Sequence, residues 1–104
     1  MRGNKVPGYL GLARRANKLV AGSDAVLWAI KKNLAKIVFI ASDAASNTVK
    51  KFQKKCYDYN VLAINEYSSE ELSKAIGKPL CKVLAITDQG FSDAIRGQLN
   101  GGIK

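Results

Sequence analysis

Two continuous apolar runs, KIVFIA (36–41) and CKVLAIT (81–87), most constrain how this chain can fold. Unbroken runs of β-branched and aliphatic residues are typical of strands that are covered on both faces of a sheet. NVLAI (60–64) predicts a further strand, and KLVA (18–21) is a short strand candidate. We therefore expect an α/β domain, with a small, mostly four-stranded mixed sheet and helices on both of its faces.

Helical patterns alternate with these strands. GYLGLARRAN (8–17) has Leu10, Ala13 and Asn17 at helical spacing. Ser23 is a suitable N-cap for a second helix that runs from Asp24 to about residue 33.

The later helices have equally clear patterns. The third helix carries one apolar stripe, formed by Val49, Phe52, Cys56 and Tyr59. SSEELSKAIG (68–77) predicts a fourth helix, which either of its first two serines can cap and which the glycine ends. DQGFSDAIRGQL (88–99) predicts the last helix, with Phe91, Ala94, Ile95 and Leu99 on its apolar face.

The length of 104 residues argues for one domain, and we expect residues 1–7 and 100–104 to be loose ends. The two cysteines, Cys56 and Cys81, lack the spacing of a zinc site and are expected to be buried, reduced thiols. No signal-peptide core is apparent at the N-terminus, and no apolar run is long enough to span a bilayer. We expect a soluble, cytoplasmic monomer without a membrane partner.

Catalytic patterns are scarce. The chain has no histidine, no Walker loop and no G-x-G-x-x-G, and its carboxylates are scattered. TDQG (87–90) follows a predicted strand, where Asp88 either faces a ligand or marks the start of the next helix. We expect no catalytic residues, no metal and no cofactor.

The charge is high and uneven. The chain carries 17 basic and 8 acidic residues, for a net charge of +9. Residues 1–56 hold 12 basic and two acidic residues, whereas residues 57–104 hold five and six. Such asymmetry favours a polyanionic partner, nucleic acid first, over a basic protein without one.

KKFQKK (50–55) places four lysines on one predicted helix. Like-charged pairs four residues apart destabilise a helix unless an anion lies near them. The pattern is read either as phosphate contact or as a solvated helix face. The predicted outlying phosphate contacts are Arg14, Arg15, Lys18, Lys50, Lys51, Lys54 and Lys55.

The second helix has an unusual polar face. At about 100° per residue, its apolar arc contains Val26, Leu27, Ile30 and Leu34. Its other side contains Asp24, Trp28, Lys31, Lys32 and Ala35. The tryptophan on this side either stacks on a base, contacts a protein partner or is covered by a neighbouring loop.

Four segments together resemble the bacterial branch of the L7Ae/L30e ribosomal protein family: GLARRANKLVAG, AIKKNLAKIVFIASDAASNTVKK, KKCYDYNV and IGKPLCKVLAITDQGF. The similarity extends over nearly the whole chain. It implies a three-layer α/β/α sandwich without catalytic activity, which binds structured RNA containing kink-turns.

The resemblance also implies where RNA binds. One region is the turn at Gly22, with Ser23, and the start of the second helix. There the family has Asn, Glu and Lys where this chain has Asp24, Ala25 and Trp28. Lys31 and Lys32 follow on the same helix, and Lys32 matches a basic position of the family.

The second implied region is the loop before the last strand, whose residues are Gly77, Lys78, Pro79, Leu80 and Cys81. Its leucine and cysteine are expected to give apolar contact to a flipped-out base. Because alanine and tryptophan cannot pair with guanine edges as glutamate and lysine do, Asp24 is hypothesised to supply the carboxylate, and Trp28 to stack.

Three function classes follow. The leading one is a non-enzymatic protein that docks on structured, ribosomal or ribosome-associated RNA. The second is a protein-interaction module that uses Trp28 as its anchor, because exposed tryptophans are frequent interface hot spots. The third is an enzyme or small-ligand binder that uses Asp88.

Overall fold

The structure is a computed structural model that describes residues 5–99. Helices and strands alternate along the chain. In order they are α1 (Val6–Arg15), β1 (Leu19–Ala21), α2 (Ser23–Lys31), β2 (Ile37–Ile40), α3 (Ser46–Asp58), β3 (Leu62–Ile64), α4 (Ser69–Ile76), β4 (Val83–Ile86) and α5 (Gln89–Leu99).

The four strands form one mixed sheet in the order β1-β4-β2-β3. β4 runs antiparallel to both of its neighbours, whereas β2 and β3 are parallel. The ends of β1, β2 and β3 therefore lie at the same edge of the sheet as the start of β4. The predicted α/β fold with a four-stranded mixed sheet is confirmed.

Two apolar clusters cover the sheet. Val26, Ile30, Phe52 and Cys56 join α2 and α3 to one face. The other face is covered by α1, α4 and α5, with Leu10, Leu72 and Ile95 among the fully buried side chains. β2 and β4 are buried along their whole length, as their apolar runs predict. The result is the expected three-layer sandwich.

Three helices end at an asparagine in the left-handed conformation. Asn17, Asn33 and Asn60 have φ of 59°, 61° and 57°. In each case the residue after the asparagine donates a backbone hydrogen bond to a carbonyl five residues earlier, as in Lys18 N to Ala13 O at 2.8 Å. Asparagine is among the few residues other than glycine that tolerate this conformation at a helix end.

These helix ends correct three predictions. Asn17 does not extend the apolar stripe of α1, because that helix ends at Arg15. Leu34 and Ala35 lie beyond the end of α2, so the helical projection fails for them: the leucine is 42% exposed and the alanine 6%. Tyr59 similarly follows α3 as its C-cap and is 37% exposed.

The N-cap is as predicted for α4 but differs from the prediction for α2. α4 has the predicted cap at Ser68, whose hydroxyl accepts from Glu71 N while the Glu71 carboxylate accepts from Ser68 N. It ends at Gly77, as predicted. Ser23, in contrast, is the first residue of α2, and Gly22 is its N-cap.

The first helix begins earlier than expected. Residues 6 and 7, predicted to be loose, belong to α1, and Val6 is fully buried. Residues 1–4 and 100–104, for which loose ends are also predicted, lie outside the described residues.

Candidate nucleic-acid interface

The structure places the glycine turn beside the loop that precedes the last strand. Gly22 N donates a hydrogen bond of 3.0 Å to Val83 O, next to the β1–β4 pair Ala21 and Leu84. Since residues 77–82 lead directly into β4, the two segments come to the same edge of the sheet. We call Gly22–Asp24, Gly77–Cys81 and Lys82 together the docking edge.

The turn into α2 requires glycine. Gly22 has φ of 101° and ψ of 151°, a region that residues with a Cβ rarely occupy. Its carbonyl accepts the first helical bond, from Val26 N at 3.0 Å. Within the described part of the chain no side chain caps α2, so the N–H groups of its first turn have no side-chain acceptor.

The loop presents a strained leucine. Leu80 has φ of 55° and is 84% exposed, an unfavourable combination for a large apolar residue. Beneath it, Cys81 is 5% exposed, its N–H donates to Ser73 Oγ at 2.7 Å and its thiol donates to Val83 O. The Cys81 side chain is therefore buried in the core and not exposed at the surface where the resemblance implies contact with a base.

The rest of this loop is exposed and borders a groove. Lys78 and Pro79 are exposed beside Leu80, and Gly77 takes the left-handed C-cap conformation that turns the chain out of α4. An open groove of about 570 Å³ runs between α4 and this loop. Leu80 and Lys74 are among the side chains that line it. The loop thus adds apolar and basic surface to the docking edge.

A polar cluster fixes the strand ends at this edge. Asp43 accepts 2.7 Å hydrogen bonds from both the backbone N–H and the hydroxyl of Ser69. Its carboxylate also lies 3.8 Å from Lys82 Nζ. The pKa of Asp43 is below its ordinary value of 3.8, first because of the Ser69 hydroxyl and backbone bonds, and then because of Lys82. The cluster joins the loop after β2 to the start of α4 and the start of β4.

Lys82 and Asp43 are functional candidates that sequence reasoning missed. The available signal is a lysine at the start of an otherwise buried strand, in CKVLAIT. Ala41 N donates to Lys82 O at 2.8 Å, which places this lysine between the ends of β1 and β2. Its side chain is 46% exposed, and its ammonium lies beside the Asp43 carboxylate at this edge.

The exposed face of α2 agrees with the helical projection. Trp28 is 55% exposed, so no loop among residues 5–99 covers it, and Asp24 is exposed one turn before it. Ala25 is half-buried. Lys31 and Lys32 are exposed at the far end of α2, roughly 12 Å from its start at 1.5 Å per residue. The structure therefore brings Asp24 to the docking edge and separates the two lysines from it.

Several predicted phosphate contacts have structural partners. Arg14 Nη1 donates to Ile76 O at 2.9 Å, which satisfies a carbonyl at the end of α4. Lys54 forms an exposed ion pair with Asp58 at 3.4 Å. Lys51 Nζ lies 5.7 Å from the centre of the Phe52 ring.

The other predicted phosphate contacts are Lys18, Arg15, Lys50 and Lys55, which lie in different parts of the structure. Lys18 O accepts from Thr87 N, at the opposite end of the sheet from the docking edge. Arg15 and Lys50 are exposed, and Lys55 is half-buried. Their side chains add to the basic surface of the protein.

The alternative ligand site at Asp88 is a helix start. Its carboxylate accepts from Phe91 N at 2.9 Å, as a capping side chain does. Among residues 5–99, no group of three or more potential ligands is arranged to hold a metal ion. None of the helices in this range is both long and apolar enough to cross a bilayer.

Both cysteines are free and buried, as predicted. Burial raises the pKa of the Cys56 thiol to about 11. It also raises the pKa of Cys81, against the opposing effects of a hydrogen bond with the Val83 backbone and of the charge of Lys78. Neither thiol is activated for nucleophilic chemistry.

Comparison with known families gives a match over most of the chain. The model of the "Ribosomal protein L7Ae/L30e/S12e/Gadd45 family" matches residues 4–96. The RNA-binding protein YlxQ of Bacillus subtilis (strain 168) is 44% identical over 86 residues, which are 83% of this chain and 86% of that protein. The RNA-binding protein YlxQ of Enterococcus faecium is 39% identical over 97 residues, 93% of each chain.

Solved structures agree with the fold. A Bacillus halodurans protein of unknown function superposes with a TM-score of 0.88 at 32% identity, over 93% of this chain and 98% of that one. A 15.5kD RNA binding protein of Giardia lamblia superposes with a TM-score of 0.78 at 16% identity, over 93% and 83%. The second likeness concerns the fold alone.

Proposed function

Because the chain belongs to the ribosomal protein L7Ae/L30e/S12e/Gadd45 family, we propose that it is a non-enzymatic RNA-binding protein that docks on structured, kink-turn-like RNA. The naming of two relatives as RNA-binding proteins supports this proposal. The observation that carries it is the Gly22–Val83 hydrogen bond, which joins the two implied RNA-binding segments.

The docking edge has suitable chemistry for RNA. Uncapped N–H groups at the start of α2 suit a phosphate or a base oxygen. Asp24 can accept hydrogen bonds from a guanine edge. Leu80 offers an apolar surface to an unstacked base, and Lys82 and Lys78 offer charge to phosphates.

Recognition in this chain would depend strongly on RNA shape. Ala25 and Trp28 stand where the family pattern has side chains that pair with guanine, and neither can accept or donate in the same way. The backbone turn, the loop and the charge are independent of those two positions. We therefore propose that the bent backbone and the unstacked base of the RNA contribute most of the preference.

The family name includes ribosomal proteins, so ribosomal RNA is the first candidate ligand and the cytoplasm the proposed location. We propose that binding needs no cofactor. The protein is proposed to bind as a monomer.

The test compares a kink-turn RNA with a plain duplex of equal length at one salt concentration, because phosphate contacts make affinity strongly salt-dependent. We expect the kink-turn to bind more tightly. The variants Leu80→Ser and Lys82→Ala should each reduce this preference, while Gln53→Ala, an exposed change on α3, should not. Equal binding of both RNAs by the unaltered protein would contradict docking on structured RNA.

The exposed Trp28 favours a second candidate, a protein-interaction module. On this reading, Trp28 anchors a protein partner. Association that is independent of RNA and is abolished by Trp28→Ala would support it, together with equal RNA affinities of that variant and the unaltered protein.

A further inference from the structure

The exposed aromatic side chains of residues 5–99 all lie on one layer of the sandwich. Trp28 on α2 is 55% exposed, and Tyr57 on α3 is 83% exposed. Tyr59, the C-cap of α3, is 37% exposed. Solvent-exposed aromatic rings on an otherwise polar surface are available to stack on a ligand.

The same layer carries most of the helical positive charge. α2 and α3, together with the C-cap Lys32, have six lysines and two aspartates. α1, α4 and α5, on the other side of the sheet, have four basic and three acidic residues. The aromatic rings and the excess charge therefore coincide.

On each of these two helices, an exposed aromatic ring lies on the same side of the helix as lysine side chains. On α2, Trp28 precedes Lys31 and Lys32 by three and four residues, so the three side chains are neighbours. On α3, Lys50, Gln53, Lys54 and Tyr57 recur at i, i+3, i+4 and i+7, away from the buried Phe52 and Cys56. Both helices cover the same face of the sheet and contact each other. We call Trp28, Lys31, Lys32, Lys50, Lys54 and Tyr57 the lateral face.

We propose that the lateral face binds an unpaired RNA strand that continues from the structured RNA at the docking edge. This inference rests on the proposed function and adds a second ligand segment to it. Bases stack on Trp28 and Tyr57, and the lysines contact phosphates along the strand. Such a combination of stacking rings and basic side chains is how proteins hold single-stranded nucleic acid without reading its sequence.

Charge decides between RNA and a protein partner. Lysine is depleted in the cores of protein–protein interfaces, but Trp28 has lysines as its neighbours in the next turn. Lys50 and Lys54 form a like-charged pair, and among the described residues the acidic partner is Asp58, 3.4 Å from Lys54. A polyanionic strand complements this surface. An apolar patch on a protein partner, in contrast, would have to remove water from the lysines of the lateral face.

The single tryptophan makes Trp28 its own spectroscopic probe. The experiment titrates the full chain with a blunt-ended kink-turn RNA and with the same RNA carrying an unpaired oligouridine tail long enough to cross both helices. We expect the tail to raise affinity and to quench the tryptophan fluorescence. Trp28→Ala and Tyr57→Ala should each lower affinity for the tailed RNA by at least about fivefold.

The controls separate stacking from other effects. Both alanine variants should bind the blunt RNA as the unaltered protein does, and Gln89→Ala, an exposed change on α5 across the sheet, should leave both affinities unchanged. Tyr57→Phe should retain the advantage of the tail, because the ring remains. The double variant Lys50→Ala, Lys54→Ala removes two proposed phosphate contacts. For tailed RNA, it should reduce the steepness of the plot of log affinity against log salt concentration by about 1.4. Unchanged thermal unfolding of each variant confirms that the fold is intact.

The outcomes differ for the two proposals. Equal affinities for tailed and blunt RNA, with unchanged fluorescence, would overturn the proposal that the lateral face binds an unpaired strand. The proposal that structured RNA binds at the docking edge would be unaffected. A tail advantage that survives both alanine variants would overturn the lateral-face proposal too. A kink-turn that binds no better than a duplex would overturn the proposed function, and the lateral face with it. RNA-free association that Trp28→Ala abolishes would assign the rings to a protein partner instead.

Discussion

The backbone N–H of Gly22 donates a 3.0 Å hydrogen bond to the carbonyl oxygen of Val83. This bond extends the β1–β4 ladder by one residue, immediately before α2 begins. It therefore holds the start of α2 beside the loop that carries Leu80. The geometry of the docking edge depends on it.

Gly22→Ala is expected to destabilise the protein by about 1–3 kcal/mol, because the φ of 101° at Gly22 is strained for any residue with a Cβ. Apart from Gly22 and its two chain neighbours, no heavy atom of residues 5–99 lies within 4 Å of the position of that Cβ, so the cost is conformational rather than steric. RNA affinity should fall as the turn distorts. Urea unfolding and RNA titration measure the two effects.

Gly97→Ala is the matched control. Gly97 lies within α5, and no heavy atom of residues 5–99 outside its own helix turn lies within 4 Å of the point that an alanine methyl would occupy. This change should stabilise the protein by up to about 1 kcal/mol. Equal stabilities of the two variants would contradict the strain assigned to Gly22.

Leu80→Asn is expected to weaken RNA binding without loss of stability. Asparagine tolerates the left-handed conformation that Leu80 adopts, and the 84% exposed leucine contributes little to the core. The free energy of unfolding should stay level or rise by as much as about 1 kcal/mol. A several-fold loss of kink-turn affinity, measured beside thermal unfolding, would agree with a base contact at Leu80; unchanged affinity would exclude it.

The elements with strong local signals are the ones that the sequence predicts best. The apolar runs of β2 and β4 and the capped helix α4 appear where expected, because burial and capping are encoded within each segment. The ends of α1 and α2 are harder to predict. Asn17 and Asn33 continue a helical pattern, but their tolerance of positive φ ends each helix. An asparagine before an apolar or basic residue is the signal that marks these ends.

The candidate site is predictable only in part. Family positions point to Gly22, Asp24 and Leu80, and the structure brings their segments to one edge. The burial of Cys81 and the role of Asp43 depend on contacts between distant segments, such as the bonds from Ser69. Periodicity within one element carries no information about such contacts.

Asp43→Asn is expected to destabilise the protein at neutral pH and much less in acid. Hydrogen bonds from Ser69, aided by Lys82, lower the pKa of Asp43 in the folded state. A lowered folded pKa stabilises the protein above the unfolded value of 3.8, and this contribution is lost as pH falls through the folded pKa. Urea unfolding at pH 7 and below pH 3.8 should show the difference between the variant and the unaltered protein shrinking. A constant difference would contradict the assignment.

Bound RNA is expected to protect Cys81 from alkylation more than it protects Cys56. Both thiols are buried and have raised pKa values, so each reacts only when its surroundings open. Cys81 belongs to the docking loop, whereas Cys56 packs between α3 and the sheet and serves as an internal control. Peptide mass spectrometry after timed iodoacetamide treatment gives both rates. Equal protection of the two thiols would indicate global stabilisation rather than contact with the loop.

Trp28→Lys is expected to exchange one mode of RNA contact for another. Lysine at this position restores the donor of the family pattern, so affinity for a blunt kink-turn with tandem G·A pairs should rise, by roughly fivefold or more if the lysine reaches a guanine. The advantage of an unpaired tail should disappear, because the ring is gone.

The companion change, Asp24→Ala, removes the carboxylate one turn before Trp28 on the same exposed face. It should lower kink-turn affinity, and it should do so in both the unaltered and the Trp28→Lys backgrounds, since the two side chains would contact different guanines. Trp28→Ala separates loss of the ring from gain of the amine. If neither Asp24→Ala nor Trp28→Lys changes kink-turn affinity, α2 does not read the G·A pairs through side chains, and the backbone turn at Gly22 with the Leu80 loop must account for the preference.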